Sequence, residues 1–246
     1  MLIQLIPVRI SANVRSHDDL GAIILEAAGQ VIQDGDVLVV AHKIVSKAEG
    51  RTVNLADVKP SRKAIKMARE HGKAPRIMEL ILKESARIVR AHDDIIVSET
   101  KHGLVCANAG IDQSNVEGDA ALLLPVDPDK SASKLRDVVK KKTGKEIAVV
   151  ITDTFGRPFR EGQVNVAIGV AGMRPIRSYI GSRDMYGRKL RVSEIAVADE
   201  IASAAELVMG KSEGVPAAIV RGYRFEKAAK SSAKLLQRSR KQDLFR

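Results

Sequence analysis

An aspartate follows directly on a strongly apolar segment in the middle of the chain. Residues 147–151 are aliphatic and mostly β-branched, which predicts a buried strand. Asp153 then lies between two threonines, and Arg157 and Arg160 follow shortly after. A carboxylate beside hydroxyl and guanidinium groups is suited to a cation that carries phosphate oxygens. The alternative is that Asp153 and Thr154 only cap a turn, and this segment alone favours neither interpretation.

A second polar segment, residues 108–118, also follows an apolar run. It offers oxygen ligands in Asp112, Asn115 and Glu117. The spacing of these residues differs from that of an EF-hand, which excludes a calcium loop of that kind. Two aspartates from separate segments, completed by phosphate oxygens and water, would instead make the carboxylate-poor site that is usual for Mg²⁺.

Four polar segments share a position next to a buried strand or helix. They are residues 42–47, 108–117, 152–160 and 210–214. Lysines in the first segment could direct ammonium groups at phosphates, although most such lysines are simply solvated. Gly210-Lys211-Ser212 lacks the upstream glycine of a Walker A sequence, and no G-x-G-x-x-G pattern occurs. We therefore expect neither a P-loop nor a Rossmann site.

Hydrophobic periodicity and turn signals predict a mixed α/β fold, with α and β elements interspersed. Strands are predicted at residues 2–6, 37–41, 95–97, 104–107, 147–151, 164–171 and 217–220, and helices from Asp18 or Asp19, at 61–71, at 75–90, after Asp127 and at 192–209. No internal repeat or long linker is visible. Residues 1–225 should therefore form one catalytic unit, or two closely joined lobes.

The composition sets limits on the kind of protein. A chain of 246 residues, 45% of them hydrophobic, can bury a substantial core, and that core must be aliphatic because aromatic residues make up only 3%. Base-stacking platforms are accordingly scarce. The single cysteine, Cys106, excludes an intramolecular disulfide or a multi-cysteine zinc site, and its apolar surroundings favour a packed thiol. The N-terminal residues lack a signal-peptide layout and no apolar run could span a bilayer, so a cytoplasmic location is expected.

The positive charge is concentrated near the C-terminus. The formal net charge is +11, of which residues 221–246 carry +7, leaving +4 for the preceding 220 residues. Lys227, Lys230 and Lys234 have helical spacing, which predicts a basic, solvated helical segment over residues 226–246. An RNA-binding or membrane-surface tail is the alternative. The body of the chain does not have the character of a nucleic-acid binder, and neither nucleic acid nor membrane is expected as a partner.

Five segments, taken in order along the chain, resemble the coenzyme F420-0:L-glutamate ligase family. They are Ser46 to Arg51, Asn108 to Val116, Ile151 to Thr154, Gly181 to Gly187 and Val197 to Ala202. Each is weak alone, but together they extend the resemblance from residue 1 to about Arg224. The family adds L-glutamate to the lactyl phosphate side chain of a deazaflavin coenzyme, using GTP and divalent metal, and then adds a second glutamate through the γ-carboxylate. The resemblance also implies an intertwined homodimer with its own two-lobed α/β fold.

The resemblance also implies the site residues. Asp112 and Asp153 would bind one divalent cation and Thr154 a second, with Mg²⁺ or Mn²⁺ as the divalent ions and K⁺ as a further candidate. Residues 209–215 form a shorter, less glycine- and acid-rich segment than the family often shows, and Glu213 is the candidate ligand there for the second metal. The residues implied for the guanine nucleotide are Ile10, Ser11, Ala12, Asn13, His42, Lys43, Lys47, Asn115, Met209, Gly210, Lys211, Ser212, Glu213, Gly214 and Val215.

The expected chemistry follows from the needs of amide formation. A carboxylate is a poor electrophile, so the coenzyme carboxylate should attack the γ-phosphate of GTP and form an acyl phosphate, from which the glutamate amine displaces phosphate. Lys47, Arg157 and Arg160 are the catalytic candidates, because their positive charge would offset the charge that develops on the phosphate. Two rival functions use the same residues differently. A metal-dependent phosphohydrolase would use the aspartates, and an RNA- or membrane-associated binding protein would use the basic tail.

Overall fold

A computed structural model describes residues 2–244 as a mixed α/β structure. The helices are α1 Leu20–Ala28, α2 His42–Ala48, α3 Arg62–Glu70, α4 Pro75–Glu84, α5 Pro128–Thr143 and α6 Val197–Met209. The strands are β1 Gln4–Val8, β2 Val37–Ala41, β3 Thr52–Asn54, β4 Ser85–His92, β5 Ile95–Thr100, β6 Val105–Ala107, β7 Ala120–Leu122, β8 Ala148–Arg157, β9 Arg160–Ala171, β10 Arg177–Ser178, β11 Glu194–Ile195 and β12 Ala217–Arg221. The mixed α/β class predicted from the sequence is confirmed.

Five strands form a central sheet in the order β1-β12-β2-β8-β9. Only the pair β2 and β8 is parallel, and the other three neighbouring pairs in this sheet are antiparallel. A Rossmann fold has a mostly parallel sheet, so this arrangement agrees with the expectation that the chain is not a Rossmann protein. The parallel pair places the ends of β2 and β8 side by side, with Ala41 opposite Thr152.

Helices cover both faces of the central sheet, which explains why its strands are apolar without alternation. On one face, α1 and α5 pack on side chains that include Leu38 and Val40. On the other face, α6 packs on a second cluster that includes Val37 and Val39. Successive residues of β2 therefore point into different cores, and each face buries its own aliphatic layer.

A lateral region, residues 52–123, has a third hydrophobic core of its own. Helices α3 and α4 pack there beside the antiparallel sheet β4-β5-β6, and β3 pairs with β7. The strands predicted at 95–97 and 104–107 are neighbours in this sheet, where residues 97–99 of β5 pair with residues 105–107 of β6. A capping serine begins α3, because the Ser61 hydroxyl accepts a hydrogen bond from the Ala64 backbone N–H.

Three predicted boundaries are wrong. The helix predicted over 75–90 ends at Glu84, and the chain continues as β4. The helix predicted from Val192 begins only at Val197, because residues 194–195 form β11 instead. The first strand does not stop at Pro7 but runs to Val8; β1 is an edge strand, where a residue without a backbone N–H is tolerated.

The basic C-terminal segment is not a helix in the part that the structure describes, through residue 244. It contains one short 3₁₀ turn, Ala233–Leu236, whose Ala233 is buried against the second core. Asp129 anchors this turn by accepting hydrogen bonds from the Ser232 hydroxyl and the Ala233 backbone N–H. The lysine spacing suggested a helix, but the buried apolar residues determine the conformation. Within residues 2–244, no helix has the length and apolar character needed to cross a membrane.

Candidate functional site

A cavity of about 680 Å³ opens where the ends of β2 and β8 meet the segment after α6. The lining residues that matter for chemistry are His42, Lys43, Lys47, Asp112, Ser114, Asn115, Thr152, Asp153, Thr154, Gln163, Asn165, Glu206, Lys211 and Ser212. Apolar residues and backbone complete the wall. Two backbone hydrogen bonds fix the segment after α6 to the sheet, one from the Ile10 N–H to the Gly214 carbonyl and one from the Ala41 N–H to the Pro216 carbonyl.

The parallel pairing of β2 with β8 brings His42 and Asp153 together. Each residue directly follows one of the paired residues Ala41 and Thr152. The His42 Nε2 atom lies 3.2 Å from a carboxylate oxygen of Asp153, and its side chain is only 2% exposed. The geometry is not that of a hydrogen bond, so this buried nitrogen has no hydrogen-bond partner among the described residues. Because His42 and Asp153 both line the cavity, a ligand bound there can supply the partner that this nitrogen lacks.

Asp112 comes to the same cavity from the lateral region. It follows a tight turn in which Asn108, Ala109 and Gly110 all have positive φ, a strained conformation for the two non-glycine residues. The Asp112 carboxylate accepts hydrogen bonds from the Ser114 backbone N–H at 2.6 Å and lies 2.7 Å from the Lys43 ammonium. Partial burial acts to raise the pKa of Asp112, but the hydrogen bonds from Lys43 and Ser114 outweigh it and hold the pKa below its ordinary value.

Four side chains form a closed hydrogen-bonded ring on the opposite wall. Thr154 and Asn165 are cross-strand neighbours in β8 and β9, and the Thr154 hydroxyl donates to the Asn165 amide oxygen at 2.7 Å. The Asn165 amide group donates to Glu206 of α6 at 2.8 Å. Lys211 completes the ring, because its ammonium lies 2.5 Å from the Thr154 hydroxyl oxygen and 3.1 Å from a Glu206 carboxylate oxygen.

Cys106 is a packed thiol, as predicted. It is a free, buried cysteine. Burial, with a smaller contribution from the negative charge of Asp153, raises the pKa of the Cys106 thiol to about 12. Since the thiolate is the nucleophilic form, this cysteine is inert at neutral pH.

Most of the predicted site residues line this one cavity. Ile10, Ala12, Asn13, His42, Lys43, Lys47, Asn115, Met209, Gly210, Lys211, Ser212, Gly214 and Val215 line it with Asp112, Asp153 and Thr154. Ser11 and Glu213 lie outside this lining. The backbone carbonyl of Glu213 instead accepts a hydrogen bond from Arg9.

Arg157 and Arg160 also lie outside the cavity lining. The segment 152–160 was expected to be a loop at the end of a strand, but β8 continues to Arg157 and turns back directly into β9. Both arginines therefore belong to the far end of a long hairpin. The Arg157 guanidinium donates to the Glu161 carbonyl at 2.8 Å within that hairpin.

Sequence reasoning missed Glu206, Asn165 and Gln163 as cavity residues. Asn165 did carry a signal in the sequence, because it is a polar residue inside the apolar run of β9. In the structure it is 3% exposed. A buried amide in a strand needs hydrogen-bond partners, and these turned out to be Thr154 and Glu206. Glu206 carried no such signal, since an acid in the last turns of a helix resembles ordinary surface.

The donor atoms fit one divalent cation better than two. Asp112 and Asp153 offer carboxylate oxygens to the cavity, and phosphate oxygens and water would complete the shell of a hard cation. Among residues 2–244, no group of three or more His, Cys, Asp or Glu side chains could hold a metal unaided. Such a site therefore depends on a ligand that brings its own oxygens. At Thr154, the position predicted for a second cation, the hydroxyl oxygen already contacts Lys211.

Comparisons with known proteins agree on one family. The family described as F420-0:Gamma-glutamyl ligase matches residues 9–222. The chain is 50% identical to the coenzyme F420:L-glutamate ligase of Methanothermobacter thermautotrophicus, with all of both chains covered. It is 46% identical to the enzyme of the same name from Methanopyrus kandleri, over 98% of this chain and 96% of that one. It is 42% identical to that of Archaeoglobus fulgidus, over 100% and 97%.

Proposed function

Because the chain belongs to the F420-0:Gamma-glutamyl ligase family, we propose that it joins L-glutamate to coenzyme F420-0, and then a further γ-linked glutamate, with GTP as co-substrate. The observation that carries the proposal is one cavity lined by two aspartates, Asp112 and Asp153, and three lysines, Lys43, Lys47 and Lys211. Its volume of about 680 Å³ is that of a small-molecule or nucleotide pocket.

The distribution of charge in the cavity favours a triphosphate with a cation. Phosphate oxygens are attracted to the lysines, while the aspartates would repel them unless a cation lay between. A divalent cation such as Mg²⁺ or Mn²⁺, when bound, would neutralise negative charge on the phosphates. Asp112 and Asp153 would hold this ion, and the lowered pKa of Asp112 keeps that carboxylate anionic at neutral pH.

The reaction takes place in two displacements. A carboxylate oxygen of the coenzyme attacks the γ-phosphorus of GTP, the bond to the β-phosphate oxygen breaks, and GDP leaves with that electron pair. The glutamate amine then attacks the acyl carbon and an amide bond forms. The bond from that carbon to the phosphate oxygen breaks, phosphate leaves with the electron pair, and the proton lost by the amine passes to phosphate or solvent. The role of Lys47 and Lys43 is to hold the phosphates in line and to offset the charge that develops on them.

Two earlier expectations stay predictions. Arg157 and Arg160 could assist phosphoryl transfer only if the hairpin that carries them came to the cavity, for example from a second copy of the chain. K⁺ also stays a candidate ion. Ser11 and Glu213, by contrast, could contact the nucleotide through small changes of their own segments, because each is flanked by residues that line the cavity.

We infer a homodimer from an extended arm between β9 and α6. The two limbs of this arm are joined by β10 and β11 and by backbone hydrogen bonds such as that from the Tyr179 N–H to the Ser193 carbonyl. Its apolar side chains are strongly exposed, with Met185 91% and Val192 86% exposed. Exposed apolar groups of this size on an arm are typical of an interface with a second copy. A Met185→Glu, Val192→Glu variant should sediment as a monomer where the unaltered chain sediments as a dimer.

Mass spectrometry of the coenzyme provides the direct test. Coenzyme F420-0 incubated with the protein, GTP, Mg²⁺ or Mn²⁺ and L-glutamate should gain the mass of one glutamate and then of a second. Omitting GTP should prevent any gain. Phosphate release from GTP without coenzyme or glutamate, and no gain of mass, would favour the phosphohydrolase instead.

The binding-protein alternative needs a separate control. Removing the tail after residue 225 would uncover the second core, so charge should be removed without truncation. Lys227 is 72% exposed, and Lys230 is exposed as well. A Lys227→Gln, Lys230→Gln variant should therefore keep full ligase activity, whereas an RNA- or membrane-binding function of the tail would weaken with the loss of charge.

A further inference from the structure

Lys211 lies where the resemblance to the ligase family implies a second divalent cation. Its ammonium is 2.5 Å from the Thr154 hydroxyl oxygen, the atom expected to bind that cation. It is also 3.1 Å from a carboxylate oxygen of Glu206. These are the oxygen contacts that a small hard cation would make, and here a side chain of the protein makes them.

The ring around Lys211 determines which way the Thr154 hydroxyl points. A carboxylate can only accept hydrogen bonds, so Glu206 fixes the Asn165 amide with its NH₂ group towards α6 and its oxygen towards Thr154. The Asn165 oxygen then accepts a hydrogen bond from the Thr154 hydroxyl. The lone pairs of the Thr154 oxygen are left to face a positive charge, and the ammonium of Lys211 takes that position.

Glu213, the remaining candidate ligand for a second metal, does not line the cavity. Its side-chain carbons and one carboxylate oxygen lie beside Gly210. A second divalent ion at Thr154 would also meet the ammonium of Lys211, and like charges at such distances repel each other. The donor set therefore does not fit a second metal while Lys211 is present.

We propose that the Lys211 ammonium takes the place of the second divalent cation, so that this protein works with one divalent ion per chain. The inference depends on the proposed function, because it presupposes a cation at Asp112 and Asp153 and a nucleotide triphosphate in the cavity. Lys211 supplies a fixed positive charge to the phosphates, and Glu206 and Asn165 are the positioning residues that hold it against Thr154.

Counting bound Mn²⁺ tests the proposal without using activity. Electron paramagnetic resonance would count the Mn²⁺ ions bound per chain in the presence of a non-hydrolysable GTP analogue. The unaltered protein should bind one ion. Lys211→Gln removes the internal charge and leaves the oxygens of Thr154 and Glu206 available, so this variant should bind two. Lys66→Gln, a matched change at a lysine that is 78% exposed on α3, should bind one.

The outcomes separate this inference from the proposed function. Two ions bound to the unaltered protein would overturn it, and so would a single ion in the Lys211→Gln variant. A Lys211→Gln, Glu206→Gln double variant should return to one ion, because the freed carboxylate is the ligand that the second ion requires. Absence of bound Mn²⁺ from the unaltered protein would reject the cation site at Asp112 and Asp153, and with it both proposals.

Discussion

Lys43 with Asp112 and Lys211 with Glu206 form two lysine–carboxylate pairs on one cavity, at nitrogen–oxygen distances of 2.7 and 3.1 Å. Their surroundings differ. Asp112 is supported by the exposed backbone N–H of Ser114 in a loop. Glu206 is held by Asn165, a buried amide that is itself bonded to Thr154 of the next strand. The Asp112 carboxylate is therefore held by a loop, at what we call the loose end of the cavity, and the Glu206 carboxylate by the sheet, at the firm end. The lysines themselves are 25% exposed for Lys43 and 60% for Lys211.

One cavity can therefore place two lysine–carboxylate pairs in different settings, one on a loop and one on the sheet. We expect a cation to displace the Lys43 ammonium from Asp112, which would break the contacts of Lys43 with Asp112 and with the Ser114 hydroxyl. If Lys211 moved away, the Glu206 carboxylate and the Thr154 hydroxyl, both held by Asn165, would lose the cation that they share. Substitutions at each end of the cavity should therefore have different effects.

The largest effect should come from Asp153→Asn. This change keeps the shape of the side chain but removes a charged cation ligand, and metal-assisted charge stabilisation contributes several kcal/mol to such reactions. At about 1.4 kcal/mol for each factor of ten, glutamate addition should slow by about a thousandfold. Initial rates measured by mass spectrometry would check this. Asp137→Asn, at an exposed position of α5, should retain full rate. A near-normal rate for the Asp153 variant would contradict the assignment of the site.

Asn165→Leu tests, through the free energy of unfolding, how strongly the sheet supports the firm end of the cavity. Leucine has a similar volume but cannot pair with Thr154 or Glu206, and each partly buried polar group left unpaired has a desolvation cost. The free energy of unfolding should fall by about 1–3 kcal/mol, measured by urea denaturation. Ser114→Ala at the loose end removes only the exposed hydroxyl that accepts a hydrogen bond from Lys43, and should change it by less than about 0.5 kcal/mol. Equal losses of stability in the two variants would show that the two ends of the cavity are supported equally.

Lys43→Met tests whether the loose lysine exchanges with a cation. Losing one charged contact to phosphate should raise the KM for GTP about tenfold, since a hydrogen bond to a charged group contributes about 1.5–3 kcal/mol. Mn²⁺ should at the same time bind more tightly in the absence of nucleotide, because Asp112 no longer has an ammonium partner. Calorimetric titration with Mn²⁺ alone measures this, with Lys66→Met as the control. Weaker Mn²⁺ binding would show that Lys43 supports the ion rather than competing with it.

The smallest expected effect is on the stability of the fold at acid pH. Because the pKa of Asp112 is lower in the folded protein, its ionised form stabilises the fold above the ordinary aspartate pKa, and this contribution disappears as the pH falls through the lowered value. Asp112→Asn should therefore reduce stability slightly at neutral pH and have no effect below that range. Thermal melting of both proteins from pH 7 to pH 2.5 would check the expectation. A difference that persisted or grew in acid would contradict it.

The sequence was sufficient to predict the sheet strands that are buried on both faces. β2, β12 and the first four residues of β8 are continuous aliphatic runs, and runs of this kind are usually buried in the sheet of a globular protein. The polar segments after β2 and in β8 were recognisable for the same reason, because they interrupt those runs. The parallel pairing of β2 with β8, which turns two such segments into one site, could not be derived from either segment alone.

The spacing of apolar residues predicted the wrong helix boundaries where tertiary packing determines the conformation. Ile88 continues the helical spacing of α4, yet β4 pairs with β5, and the sheet determines the outcome. Val192 and Ile195 continue the apolar spacing of α6 upstream, but they belong to an exposed arm. Glu206 could not be assigned because its role depends on Asn165, a residue of a distant strand that only the fold brings near.

The order of the central sheet has a consequence for synthesis of the chain. β12, at residues 217–221, lies between β1 and β2, so the first strand has no neighbour in the sheet until nearly the whole chain has left the ribosome. The N-terminal strand must wait with unpaired backbone groups, and pairings between segments so distant in sequence form slowly. We expect newly made chains to depend on chaperones more than their size suggests. A circular permutant that keeps the C-terminal segment, links it to β1 and opens the chain between β1 and α1 should fold faster.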